Sequence, residues 1–135
     1  MITVEKNKIV TNVLRAFLRR ENVPEEEPVL LIWKVKYKND IALWEGMRMN
    51  IDVIWKRICD QEGKTFRQIR GKEFTYTIIG NAVRLSTTNY NVGKGTFEKA
   101  LQLMPLSNTV PIQDLPAPSY VYAILMDDRI RQSDY

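Results

Sequence analysis

Four residues, Gly93-Lys94-Gly95-Thr96, stand just ahead of a helical apolar pattern, where a glycine-rich backbone and a lysine can cradle phosphate. A nucleotide-binding loop requires Gly-x-x-x-x-Gly-Lys-Ser/Thr after a buried strand. Here Lys94 is followed by Gly95, and Thr88 occupies the place of the first glycine. The preceding segment reads as an amphipathic hairpin arm rather than an all-apolar strand. A weaker site remains: helix N-terminal N–H groups, the charge of Lys94, and the hydroxyls and amides of "STTNYN" upstream. Lys94, Gly95 and Thr96 are therefore candidate anion-binding residues. The competing reading is a tight loop with Thr96 as helix cap.

A second constellation is Glu62-x-Lys64, with Asp40 lying 22 residues upstream. Magnesium-dependent nucleases use such a set: two carboxylates hold the metal and the lysine assists the attacking water. In those enzymes the tripeptide sits on a strand. Here it falls at a helix C-terminus, split by Gly63 where a glycine suits capping, so nuclease chemistry is only a minor alternative.

The third constellation is basic. Residues 1–72 hold 15 Lys and Arg against 10 Asp and Glu, whereas residues 73–135 hold 5 against 6. Three groups are candidates for nucleic-acid contact: Lys34, Lys36 and Lys38; Lys8, Arg15 and Arg19; and Lys64, Arg67, Arg70 and Lys72. Together they would neutralise phosphates and make binding steeply salt-dependent. Phe66 or Tyr90 would stack on bases. Alternating lysines also keep an exposed strand soluble, and no helix-turn-helix or aromatic RNA-binding motif is present.

Composition narrows the chemistry further. The chain has no histidine, which removes Ser-His and Cys-His pairs and His-ligated metals. One cysteine, Cys59, allows no internal disulfide and no thiolate zinc site. It falls on an apolar helix stripe, where it reads as a small buried hydrophobe. No catalytic residue, resident metal or cofactor is assigned. No apolar run approaches the roughly 20 residues of a membrane span, and no signal-peptide layout opens the chain, so the expectation is a soluble cytoplasmic protein.

The patterns along the 135 residues fit one domain, with 131–135 a frayed tail. Ile9, Val10, Val13, Leu14, Phe17 and Leu18 make an apolar helix stripe, ended by Pro24 and its acidic neighbours. In "PVLLIWKVKYKND", Leu31, Trp33, Val35 and Tyr37 alternate with Lys34, Lys36 and Lys38, which predicts a half-buried strand. "IALWEGM" would return as its antiparallel partner, with a helix over 40–49 as the alternative because Gly46 weakens a strand. Asn50 caps a helix carrying Ile51, Ile54, Trp55 and Ile58, and Gly63 ends it. "KTFRQIRGK" reads as a short strand or an ordered loop. "EFTYTIIGNAVRLSTT" is a hairpin turning at Gly80-Asn81, with Tyr76 opposite Leu85, Thr77 opposite Arg84 and Thr75 opposite Ser86. Phe97, Ala100, Leu101 and Met104 form a helix face. Four prolines extend residues 105–118, and Ser119 caps a last helix.

The expected architecture is α+β: an antiparallel sheet of two hairpins with helices packed mainly on one face. The expected function is that of a small, non-enzymatic accessory or interaction protein. Three Trp, six Tyr and five Met supply surplus large side chains of the kind interfaces favour. Its partner is another protein or a second copy of itself, with nucleic acid as the alternative and no membrane involved.

Overall fold

A computed structural model describes residues 13–37, 42 and 49–135. These fall into two compact units, one within Met1–Met49 together with Gln132–Tyr135, the other Asn50–Arg131. The chain is α+β, and among the described residues no helix is long and apolar enough to cross a membrane.

In the first unit, residues 13–20 form helix α1 and Glu27–Tyr37 form helix α2. Val13, Leu14 and Leu18 of α1 bury against Leu30 of α2, with Phe17 and Trp33 meeting edge to face at 5.7 Å. The stop signal of α1 comes earlier than Pro24. Asn22 takes a left-handed φ of 57°. The Val23 N–H then bonds the Leu18 carbonyl and the Asn22 N–H bonds that of Arg19, a Schellman closure. Arg19 and Arg20 donate to the carbonyls of Ser133 and Asp134 at 2.7 and 2.9 Å, and Tyr135 is buried. The tail expected to fray is thus held.

The strand expected from alternation over 29–38 is instead α2. Its apolar run is nearly continuous, so periods of 2 and 3.6 both find matches. Start and stop chemistry decides for the helix: Glu27 lies in the first turn, Pro28 beside it, and Lys34 and Lys36 lie in the last. Val29, Leu30 and Trp33 then turn inward at helical spacing, and Leu31, Ile32 and Val35 turn out. The return strand expected from "IALWEGM" lies outside the described residues, apart from Ala42, which is helical.

The second unit begins with α3, Ile51–Asp60, capped by the Asn50 side chain, which accepts from the Asp52 N–H at 2.7 Å. Ile54, Trp55 and Ile58 face inward, and Gly63 follows at a φ of +81°. β1 (Phe66–Arg67) pairs with β2 (Glu73–Phe74), so the basic connector is a small hairpin. β3 (Tyr76–Ile79), β4 (Ala82–Leu85) and β5 (Asn91–Gly93) form a second antiparallel sheet in that order. The β3–β4 register is the expected one, Tyr76 with Leu85 through Ile79 with Ala82. Gly80 takes a φ of +59°, as a two-residue hairpin turn requires.

The single expected sheet is therefore two, because the chain changes partners at Thr75. Residues before it pair with β1 and residues after it pair with β4. β5 runs directly into α4, Lys94–Leu101. A 3-10 turn at Val110–Ile112, α5 (Pro118–Leu125) and α6 (Asp128–Arg131) complete the unit. Helix α5 starts two residues earlier than Ser119 capping implies, with Ala117 at its N-cap and Pro118 first.

Its core draws Phe66, Tyr76, Val83, Phe97, Ile124 and Ile130 to full burial. The Tyr76 hydroxyl donates to the Ile58 carbonyl at 2.6 Å, and burial pushes its ionisation well above the ordinary tyrosine range. The turn after α3 covers the free edge of β3: the Gly63 N–H donates to the Tyr76 carbonyl, and the Glu62 carboxylate accepts the Ile78 N–H.

Candidate functional site

Each sequence candidate has a definite setting. Lys94 is the first residue of α4, Gly93 is its N-cap, and no side chain caps it. Thr96 is therefore the third residue of the helix and not its cap. The Lys94 ammonium donates to the Asp52 carboxylate at 2.7 Å. The charge of Lys94 is thus met by a carboxylate of the chain itself. Glu62 is bonded to the Ile78 N–H, and Asp40 lies outside the described residues. Among the described residues no three Cys, Asp or Glu side chains gather as metal ligands.

The basic residues divide between the two units. Lys8 and Lys38 lie outside the described residues. Arg15 pairs with Glu27 at 3.6 Å and Arg19 with Glu25 at 3.2 Å. On α2, Lys34 and Lys36 no longer share a face, since two residues turn about 200° on a helix. Lys36 lies 5.4 Å from the centre of the Trp33 ring. In the second unit Arg67 pairs with Glu73 at 2.8 Å, while Lys64, Arg70 and Lys72 stand exposed around the β1–β2 hairpin. Phe66, proposed to stack on bases, is fully buried beneath the Arg129 guanidinium, 4.2 Å from its ring centre. Tyr90 remains half exposed.

Arg129 also clasps Asp127 at 2.9 Å and donates to the Thr65 carbonyl at 2.7 Å. Burial alone would raise the Asp127 carboxyl. The hydrogen bonds and charge of Arg129 outweigh it and hold that pKa below the ordinary value. Cys59 is half-buried. Burial first, then the charges of Asp60 and Glu62, pushes its thiol pKa up, which suits packing rather than nucleophilic attack.

Two surfaces stand out that sequence reading only partly located. One is the outward side of α2, where Leu31, Ile32 and Val35 are 64%, 66% and 68% exposed. The signal for it was an apolar run wider than one buried helix face needs.

The other is an open hollow of about 200 Å³ on the outer side of β3 and β4, lined by Thr75, Thr77, Arg84, Ser86, Thr88 and Asn89. Thr77 stands directly across from Arg84, and Arg84 across from Asn91 of β5. Ser86 Oγ accepts the Thr75 N–H at 2.9 Å, and Thr88 Oγ1 accepts the Tyr90 N–H at 3.0 Å. The hairpin register already placed Thr, Arg and Ser together on the solvent side. The hollow itself depends on the loop at 86–90 folding back, which no motif announces.

No protein-family model matches the chain, and no curated protein or solved structure shows a significant similarity to it. The class defined by the fold is an α+β protein of two compact units.

Proposed function

We propose that the protein is a non-enzymatic interaction module that self-associates through the outward side of α2. The observation that carries this reading is the exposure of three large aliphatic side chains, Leu31, Ile32 and Val35, at positions i, i+1 and i+4 of one helix. Water-facing hydrocarbon of this density is uncommon without a partner. Charge supports a second copy as that partner. The N-terminal end of α2 is acidic, with Glu25, Glu26 and Glu27, and its last turn carries Lys34 and Lys36. Two copies packed antiparallel would set each acidic end against a basic end.

Magnitudes predict a weak dimer. Each aliphatic side chain covered contributes roughly 1.5–3 kcal/mol, against an association cost of about 4–15 kcal/mol. The dimer should therefore be concentration-dependent. Light scattering across a dilution series of the full chain tests it: a mass rising toward twice the monomer supports the reading. Leu31→Asp with Val35→Asp should return the monomer and keep the helical circular dichroism. A wild-type monomer at every concentration overturns self-association.

A second reading rests on Lys64, Arg70 and Lys72, exposed and without a carboxylate partner among the described residues. Nucleic acid would be held there by phosphate contacts, and retention on duplex or single-stranded DNA would fall steeply with salt. Absence of salt-sensitive retention removes this reading.

A further inference from the structure

We propose that the hollow on the outer side of β3–β4 is a binding site for a phosphate group, held by the Arg84 guanidinium and the hydroxyls of Thr77, Ser86 and Thr88. The proposal stands apart from the α2 surface, which lies in the other unit.

Charge is the first support. Among the described residues, Arg84 is the one cation lining the hollow, no acidic side chain lines it, and Arg84 forms no ion pair. Most other arginines of the second unit are spent on a partner: Arg57 on the carbonyl of Ile130, Arg67 on Glu73, Arg129 on Asp127. A guanidinium left open beside a concave surface is matched to an oxyanion, which it meets with a planar fork of N–H donors.

The hydroxyls give the second support. A serine or threonine hydroxyl has one proton and two lone pairs. Ser86 and Thr88 each accept a backbone N–H, so a lone pair is committed inward and the proton remains to donate. Thr77 sits across the strand pair from Arg84. The hollow therefore offers donors on several sides and no anionic group. A phosphate, with three or more acceptor oxygens arranged tetrahedrally, uses this set more fully than a planar carboxylate.

Size gives the third. A volume of about 200 Å³ is below the roughly 300–1,000 Å³ of pockets that enclose a whole small molecule. It fits one group, with the rest of the ligand outside. Placement on paired strands keeps Thr77 and Arg84 in register before any ligand arrives.

The test is a titration of the full chain with inorganic phosphate, following backbone amide resonances, with sodium acetate and sodium chloride at matched ionic strength. Expected are saturable shifts at residues 75–77 and 84–90 with phosphate, and small non-saturating ones with the other salts. Arg84→Gln should weaken binding by about tenfold or more, the size typical of a lost charge-assisted hydrogen bond. Thr77→Val, which preserves strand shape, should weaken it by less, and Arg84→Lys should restore part of the loss. An oligonucleotide without terminal phosphate distinguishes sources. Saturable shifts at the same residues assign the site to a nucleic-acid backbone, and their absence assigns it to free phosphate or a monoester. No saturable phosphate response, an equal response to acetate or chloride, or unchanged binding by a folded Arg84→Gln variant overturns the proposal.

Discussion

On α2 the side chains that meet water include the large aliphatics Leu31, Ile32 and Val35; on the outer side of β3 and β4 they include Thr77, Arg84 and Ser86. Both segments carry large apolar residues on their other side, Leu30 in one and Tyr76, Val83 and Leu85 in the other. The hairpin is two-sided in the ordinary sense, with hydrocarbon in and hydroxyl or charge out. The helix is apolar nearly all round, although its fold buries only one stripe. That difference separates their roles. Polar groups at fixed cross-strand spacing can recognise a small charged group, whereas bare aliphatic surface can only be covered by another apolar surface.

The sharpest way to break this comparison uses two adjacent leucines. Leu30 is fully buried and Leu31 is 64% exposed. Leu30→Ala should lower the stability of the first unit by roughly 2–5 kcal/mol, and Leu31→Ala should change it by less than about 0.5 kcal/mol. Were the segment a strand with Leu31, Trp33 and Val35 inward, the two effects would exchange. Denaturant unfolding followed by circular dichroism decides, and a larger loss for Leu31→Ala would remove both α2 and its outward surface.

The same leucines show why sequence reading succeeded in one region and failed in the other. The β3–β4 hairpin was legible because Gly80-Asn81 is a turn of defined length, and two residues of turn fix which side every later residue faces. No comparable marker precedes Leu30. In "VLLIWKVK" any alternation of apolar and basic residues can be read at period 2, while Val29, Leu30 and Trp33 satisfy a helix equally well. The deciding signals were the glutamates and Pro28 at its start. β5 was missed because three residues carry too little pattern. The site was legible only in its local part. Cross-strand pairing placed Thr77 beside Arg84, but nothing local announced that Asp52, 42 residues away, would hold Lys94.

The inward side of the hairpin can be tested at one atom. Tyr76→Phe removes the hydroxyl that donates to the Ile58 carbonyl at 2.6 Å and leaves the ring in place. The expected loss is about 1 kcal/mol, since the Gln61 N–H still reaches that carbonyl. A similar loss of about 1 kcal/mol is expected of Asn50→Ala, which strips the cap from α3. On the outer side, Arg84→Gln should leave unfolding unchanged within about 0.5 kcal/mol, because Arg84 is exposed and forms no ion pair among the described residues. A large loss there would make Arg84 structural and take away its freedom to meet a ligand.

The smallest expected effect is a pH dependence. Asp127 has its pKa held below the ordinary aspartate value by Arg129 in the folded chain and returns to that value on unfolding. The ionised form is thus favoured by folding. Its contribution is complete above the unfolded pKa, near 4, and is lost as pH falls through the lower folded value. Unfolding midpoints of the wild type should therefore decline below about pH 4 more steeply than those of Asp127→Asn, and the two should differ by a constant amount at neutral pH. The acid-sensitive step traced to Asp127 lies at the corner between α5 and α6. Parallel curves for the two proteins through the acid range would show that the Asp127 carboxylate contributes nothing to holding Arg129, which also meets Phe66 and the Thr65 carbonyl.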